Sequence, residues 1–206
     1  YNINVSLNQE NFPINLSGQI KGAPVVADDW LFVGDYLGIV HKYDINGIED
    51  SSGVFPYDMG NQIWGSPAIG DIDNDGDLDY YLVVNRLIRE GGLPTGEMTT
   101  AGADGKPVLL PEFEPYYAIY DKGGGNYTIR TVGRPDRLFE NDGSGSFRDV
   151  TAVSGISGLY YGLSAAWSDY DGDGLVDLYV ANDFQDPDCL YRNNGDGSFT
   201  NVIREA

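Results

Sequence analysis

Hydrophobic and polar positions along this 206-residue chain alternate in short runs, and no stretch sustains the 3.6-residue period of an amphipathic helix. The runs are rich in Tyr, Val and Ile and are interrupted by Gly, Asn and Asp, the pattern of strands joined by tight turns. Trp30-Leu-Phe-Val33, the turn Gly34-Asp-Tyr-Leu-Gly38 and Ile39-Val-His-Lys-Tyr43 predict one hairpin. Tyr116-Tyr-Ala-Ile-Tyr120 and Asn126-Tyr-Thr-Ile-Arg130, around Gly123-Gly-Gly125, predict another. Toward the C-terminus, four strands are expected near 163–168, 176–181, 189–193 and 198–203.

The pattern repeats. The stretch Gly65 to Asn85 resembles Gly162 to Asn182: small residues, an aspartate loop, then an aromatic and aliphatic run. Arg137 to Phe147 likewise resembles Cys189 to Phe199 in its hydrophobic pair, its Asn-Gly-rich turn and its closing Phe. Phe147 and Phe199 are 52 residues apart, whereas Asp71 and Asp169 are 98 apart. The surplus of 46 lies between Asn85 and Asp136, so the period is 52 with one insertion. A weaker copy begins at Gly22-Ala-Pro-Val-Val-Ala-Asp28 and passes directly to the strand at Trp30, without an aspartate loop. Units of about 50 residues with four short strands are the signature of propeller blades. The expected fold is therefore all-β, with about three four-stranded β-propeller blades. They are placed at 18–60, 61–161 (with an insertion at 88–133) and 162–206. Circular propellers typically carry about 4–8 blades, so these three are expected to be part of a larger propeller. The chain opens at Tyr1 without a signal peptide, and reads as a processed product or a piece of something longer.

The two loops carry the candidate chemistry. Asp71, Asp73, Asp75 and Asp79, and again Asp169, Asp171, Asp173 and Asp177, occupy positions 1, 3, 5 and 9 of a tight turn. Alternating carboxylates on such a turn converge on one point, and Ca²⁺ takes six to eight hard oxygen ligands. Gly76 and Gly174 allow the bend at position 6. Position 7, Asp77 or Leu175, is expected to offer its backbone carbonyl, which explains why Leu is tolerated there. Zinc is disfavoured by the absence of nitrogen and sulfur donors, and magnesium by the crowding of carboxylates. An EF-hand needs a bidentate Glu at position 12 and flanking helices, but that position holds Leu82 or Val180 inside strand-like runs. Two Ca²⁺ ions are thus expected, with folding coupled to their uptake.

Charge narrows the partners. The chain carries 32 acidic and 12 basic residues, a net −20, and nine of the acids lie in the two loops. Such a surface repels phosphate backbones and anionic lipid, so nucleic acid and membrane insertion are poor candidates. Cys189 stands alone and forms no internal disulfide; it is expected to be a small, half-buried strand residue. His41, also alone, is expected on a strand surface rather than in a zinc site. Catalytic constellations are absent from the sequence, the paired carboxylates being those a metal would consume.

These loops and their flanking strands resemble FG-GAP/VCBS repeats, the blade type of integrin alpha-subunit propellers, over roughly 61–85 and 134–206. Arg137 to Arg204 is most similar to the ASPIC/UnbV group of secreted repeat proteins. The resemblance implies that the eight aspartates at positions 1, 3, 5 and 9 are side-chain calcium ligands. It also implies that the insertion lies on the face opposite the loops, where integrin-like propellers meet partners. The first copy departs from the pattern, and Val33 to Asp44 looks more like a quinoprotein-type propeller repeat.

The expected function is a calcium-binding extracellular or cell-surface module, periplasmic in a bacterial setting, for protein or glycan binding, adhesion or self-association. One alternative is the propeller part of a secreted calcium-stabilised enzyme such as a polysaccharide lyase. The other is a structural subunit of an extracellular assembly with open strand edges. The insertion is read either as a contact surface with exposed tyrosines or as a flap over the propeller edge. Sequons at Asn4, Asn15 and Asn126 are candidate glycosylation sites.

Overall fold

Tyr80-Tyr-Leu-Val-Val84 is apolar without alternation, which suits a strand covered on both faces. A computed structural model bears this out. It describes residues 14–27, 29–51, 54–60, 62–85, 91–183 and 186–204. Asn4, Asp28 and residues 88–90 of the insertion lie outside them.

Three four-stranded antiparallel sheets follow one another along the chain. The first runs β1 (Val25–Ala27), β2 (Trp30–Gly34), β3 (Ile39–Asp44) and β4 (Tyr57–Asp58). The second begins with β5 (Ala68–Gly70) and β6 (Asp79–Leu82). Between β6 and the rest of its sheet come two separate hairpins, β7 (Thr99–Ala101) with β8 (Pro107–Leu109), and β9 (Tyr117–Asp121) with β10 (Tyr127–Thr131). The sheet then resumes with β11 (Arg137–Asn141) and β12 (Phe147–Asp149), in the order β5-β6-β11-β12. A single helical turn, α1 (Thr151–Ser154), leads to the third sheet. That sheet is β13 (Gly162–Ser168), β14 (Asp177–Asn182), β15 (Cys189–Asn193) and β16 (Phe199–Asn201). The register Leu138↔Tyr81 across the insertion and Tyr179↔Leu190 in the third sheet put equivalent residues at equivalent places.

Each sheet is a propeller blade, and the blades pack face to face. Along β6 and the residue after it, Tyr80 and Leu82 point to one side and Tyr81 and Val83 to the other, as strand alternation requires. Tyr80, Leu82, Val84 and Phe139 join Phe32, Val40, Phe55 and Phe147 between the first and second blades. Tyr81, Val83 and Leu138 join Leu178, Val180, Cys189, Tyr191 and Phe199 between the second and third. The first strands of neighbouring blades meet closely: a Cβ on Gly70 of β5 would stand 2.8 Å from the Trp167 ring of β13. That approach requires glycine.

Three details depart from the sequence expectations. Cys189 is fully rather than half buried, because β15 lies between β14 and β16 and faces the second blade. His41 sits on β3 with a side chain only 14% exposed, its ring nitrogens 2.5 Å from Glu49 and 3.4 Å from Asp35. The insertion tyrosines Tyr116, Tyr117, Tyr120 and Tyr127 are half-buried rather than exposed. Tyr117 illustrates why: its hydroxyl donates to the Pro94 carbonyl (2.8 Å) and its ring packs near Phe113.

Candidate metal centres

Each aspartate loop joins the first strand of its blade to the second, β5 to β6 and β13 to β14. The loops are wound by their own side chains. Asp71 accepts from the Gly76 amide (3.2 Å) and Asp169 from the Gly174 amide (3.0 Å), closing the turn from position 1 to position 6. Gly76 and Gly174 take φ of 95° and 90°, values that L side chains rarely adopt, so the sixth position needs glycine. Asn74, at φ 60°, occupies the left-handed region that Gly172 takes in the other loop.

Position 9 does more than close the loop. Asp79 is buried, and its two oxygens accept from the Ile72 amide (2.8 Å) and from the Asn141 amide on the third strand (2.8 Å). Asp177 repeats both bonds, from Tyr170 (3.1 Å) and Asn193 (2.8 Å). The same carboxylate therefore ties loop, second strand and third strand together. Burial pushes the Asp79 carboxyl up to about 7, and the charges of Asp73 and Asp75 add to this, while the Ile72 and Asn141 amides oppose it. Asp73 is also raised, chiefly by burial and then by Asp75, and the Glu140 charge contributes.

The structure brings Asp71, Asp73 and Asp79 together, with one carboxylate oxygen of each within 4.8 Å of the others. It does the same for Asp169, Asp171 and Asp177. Asp75 and Asp173 fall outside these groups; both are exposed and accept the position-7 amides of Asp77 and Leu175 (2.9 Å each). Asp77 and Leu175 lie at corresponding places against the turn of the next hairpin, the Asp77 carboxylate over Gly143 and Leu175 over Gly195. The donors are all oxygen, and Oδ1 of Asp71 is buried without a hydrogen-bond partner. A buried carboxylate oxygen left unpaired is costly, and a cation among these three aspartates would satisfy it. The residues thus fit a hard divalent ion.

With the geometry known, comparison with protein families adds one match. Residues 127–180 and 169–205 match the FG-GAP-like repeat. The second loop lies inside the matched residues. The first, separated from β11 and β12 by the insertion, lies outside them. No curated protein matches the chain. Among the described residues no helix is long and apolar enough to cross a membrane.

Two participants escaped the loop motif. Asn193 donates through Nδ2 to the Ile72 carbonyl (2.7 Å), reaching from the third blade into the first loop. Its counterpart Asn141 donates to Leu78 (3.4 Å) within its own blade. Both asparagines occupy the same place in the repeat, and that recurrence was the available signal. Glu140, the other, had no counterpart to betray it: the equivalent residue is Arg192.

Proposed function

We propose that this chain is a calcium-stiffened β-propeller module that works outside the cytoplasm and binds a protein or glycan through the face opposite its loops. The observation that carries the reading is the gathering of three carboxylates at each of two equivalent inter-strand loops, one with a buried, unpartnered oxygen. The side-chain ligands are Asp71, Asp73 and Asp79, and Asp169, Asp171 and Asp177. Asp75 and Asp173 join them by rotation of exposed side chains, and Asp77 and Leu175 contribute main-chain carbonyls. Calcium rather than magnesium suits an all-oxygen, carboxylate-rich set. The match to the FG-GAP-like repeat supports an integrin-like role; export is proposed from the sequence resemblance of Arg137–Arg204 to the ASPIC/UnbV group. The β6–β11 connection with its two hairpins, the β2–β3 turn and the β14–β15 connection all lie at the strand ends away from the loops. That face offers variable surface for a partner without disturbing the metal loops.

The test is thermal unfolding of chelator-treated protein with and without calcium chloride. A ligand present at about 100 times its dissociation constant adds roughly 2.7 kcal/mol, so a rise in midpoint of about 5–10 °C per site is expected. An unmoved midpoint would sink the metal reading. Loss of glycan-array and protein binding on altering the opposite face, with calcium uptake intact, would locate the partner surface. Binding unaffected by any change on that face would dismiss it.

A further inference from the structure

The two loops share a motif but not a setting. At position 7 the first loop holds Asp77 and the second Leu175. At position 2 the first loop holds Ile72, buried between blades with its carbonyl bonded by Asn193. The second holds Tyr170. At position 1, Asp71 keeps a buried unpaired oxygen, whereas Asp169 accepts at Oδ1 from the Gly172 and Asp173 amides (2.7 and 3.1 Å) and at Oδ2 from the Gly174 amide.

The third strand adds the largest contrast. Register places Phe139 opposite Tyr80, so Glu140 follows beside Asp79 on the same sheet face, one residue on. In the third blade Leu178 lies opposite Tyr191, so Arg192 takes the place beside Asp177. Glu140 accepts from Arg148 (2.8 Å), but that guanidinium side chain is 74% exposed, so solvent screens it. A cation at the first loop therefore sees an extra carboxylate within the sheet, and one at the second sees a guanidinium.

We propose that the two loops take calcium unequally, the Asp71–Asp79 loop first and tightly, the Asp169–Asp177 loop later and weakly, with Glu140 and Arg192 setting much of the difference. The inference rests on the calcium reading above. A unit charge several ångströms from a divalent ion, at the intermediate dielectric of a protein rim, alters affinity by roughly tenfold.

Calorimetric titration of the chelator-treated full chain with calcium chloride reads this directly. Two phases are expected. Asp73→Asn should abolish the tight one and Asp171→Asn the weak one; the reverse assignment would overturn the order. Glu140→Gln should weaken the tight phase about three- to tenfold and leave the weak phase alone. Arg192→Gln should tighten the weak phase by a similar factor. Both effects should shrink as salt rises from about 0.05 M to about 0.5 M, since their origin is charge. Circular dichroism of the two exchanged variants checks that each has folded. A single class of equal sites, or phases that neither substitution moves, overturns the inference while leaving calcium binding intact. No uptake by equilibrium dialysis of the unaltered chain overturns the calcium reading itself.

Discussion

In the first blade no aspartate loop joins β1 to β2, and a lysine brings a cation of its own. Lys42 is 1% exposed; its ammonium donates to Asp50 (3.0 Å) and to the Gly145 carbonyl of the second blade, and lies 3.9 Å over the Trp30 ring. Removing one member of a buried ion pair leaves the other uncompensated. Lys42→Met is expected to cost about 2–4 kcal/mol in urea unfolding, read as a lower midpoint at unchanged slope. A loss under about 0.5 kcal/mol would refute the staple. A half-buried carboxylate works in the opposite direction. Burial pushes the Asp136 carboxyl up to about 6, although Tyr81 and the Val84 amide (2.6 Å each) oppose the shift by donating to it. Because the folded value lies above the unfolded one, the folded chain holds the extra proton between about pH 4 and 6. Its contribution is fully present below the unfolded value and is lost as pH rises through 6. Asp136→Asn should therefore match the parent near pH 3.5 and exceed it by roughly 3 kcal/mol at pH 7. A difference that does not vary with pH across this range would count against that account.

At the scale of elements, the insertion is the test of how independent a blade is of what is threaded into it. β6 and β11 pair directly through Leu82↔Arg137, Tyr81↔Leu138 and Tyr80↔Phe139, although 54 residues separate Leu82 from Arg137. Loop-closure cost grows slowly with length, so a long excursion between two paired strands is tolerated. The β9–β10 hairpin meets the third blade where Tyr161 Oη donates to Thr131 Oγ1 (2.5 Å), and just beyond it the Gly133 amide donates to the Leu159 carbonyl (2.8 Å). Replacing residues 91–130 by a short Gly-Ser link should leave the sheets folded, both loops able to take calcium, and the midpoint within about 5 °C. Loss of the strand signal in circular dichroism would make the insertion a part of the core instead. The half-burial of its tyrosines fits a flap as readily as a contact surface, since four rings that pack locally present less free area than four that stand out.

At the scale of the molecule, the three blades are held by two apolar layers and by polar staples near the loops. The layers meet on opposite faces of one strand pair, β6 and β11, so the second blade is the keystone of the described arc. Two kinds of staple cross the same boundaries, Lys42 between the first and second blades and Asn193 between the third and second. Calcium uptake at the first loop would thus bear on an inter-blade joint, because Ile72 is bonded both to Asp79 of that loop and to Asn193 of the next blade.

The strand-and-turn pattern, the 52-residue repeat and the position of the insertion were all legible in the sequence. Each depends on local chemistry: side-chain alternation, glycine and asparagine at turns, and aspartates at fixed spacing on one short loop. Such features need no distant partner to be read. The residue-by-residue register of β6 on β11, the full burial of Cys189 and the placing of His41 between Glu49 and Asp35 became visible only in the tertiary structure. So did the separation of each loop's aspartates into a gathered three and an outlying fourth. Contacts over long sequence separations depend on how sheets twist and stack, and a motif of identical aspartates conceals its surroundings. The two loops read alike as sequence. Their neighbours Glu140 and Arg192, brought alongside by strand register, are what make them different sites.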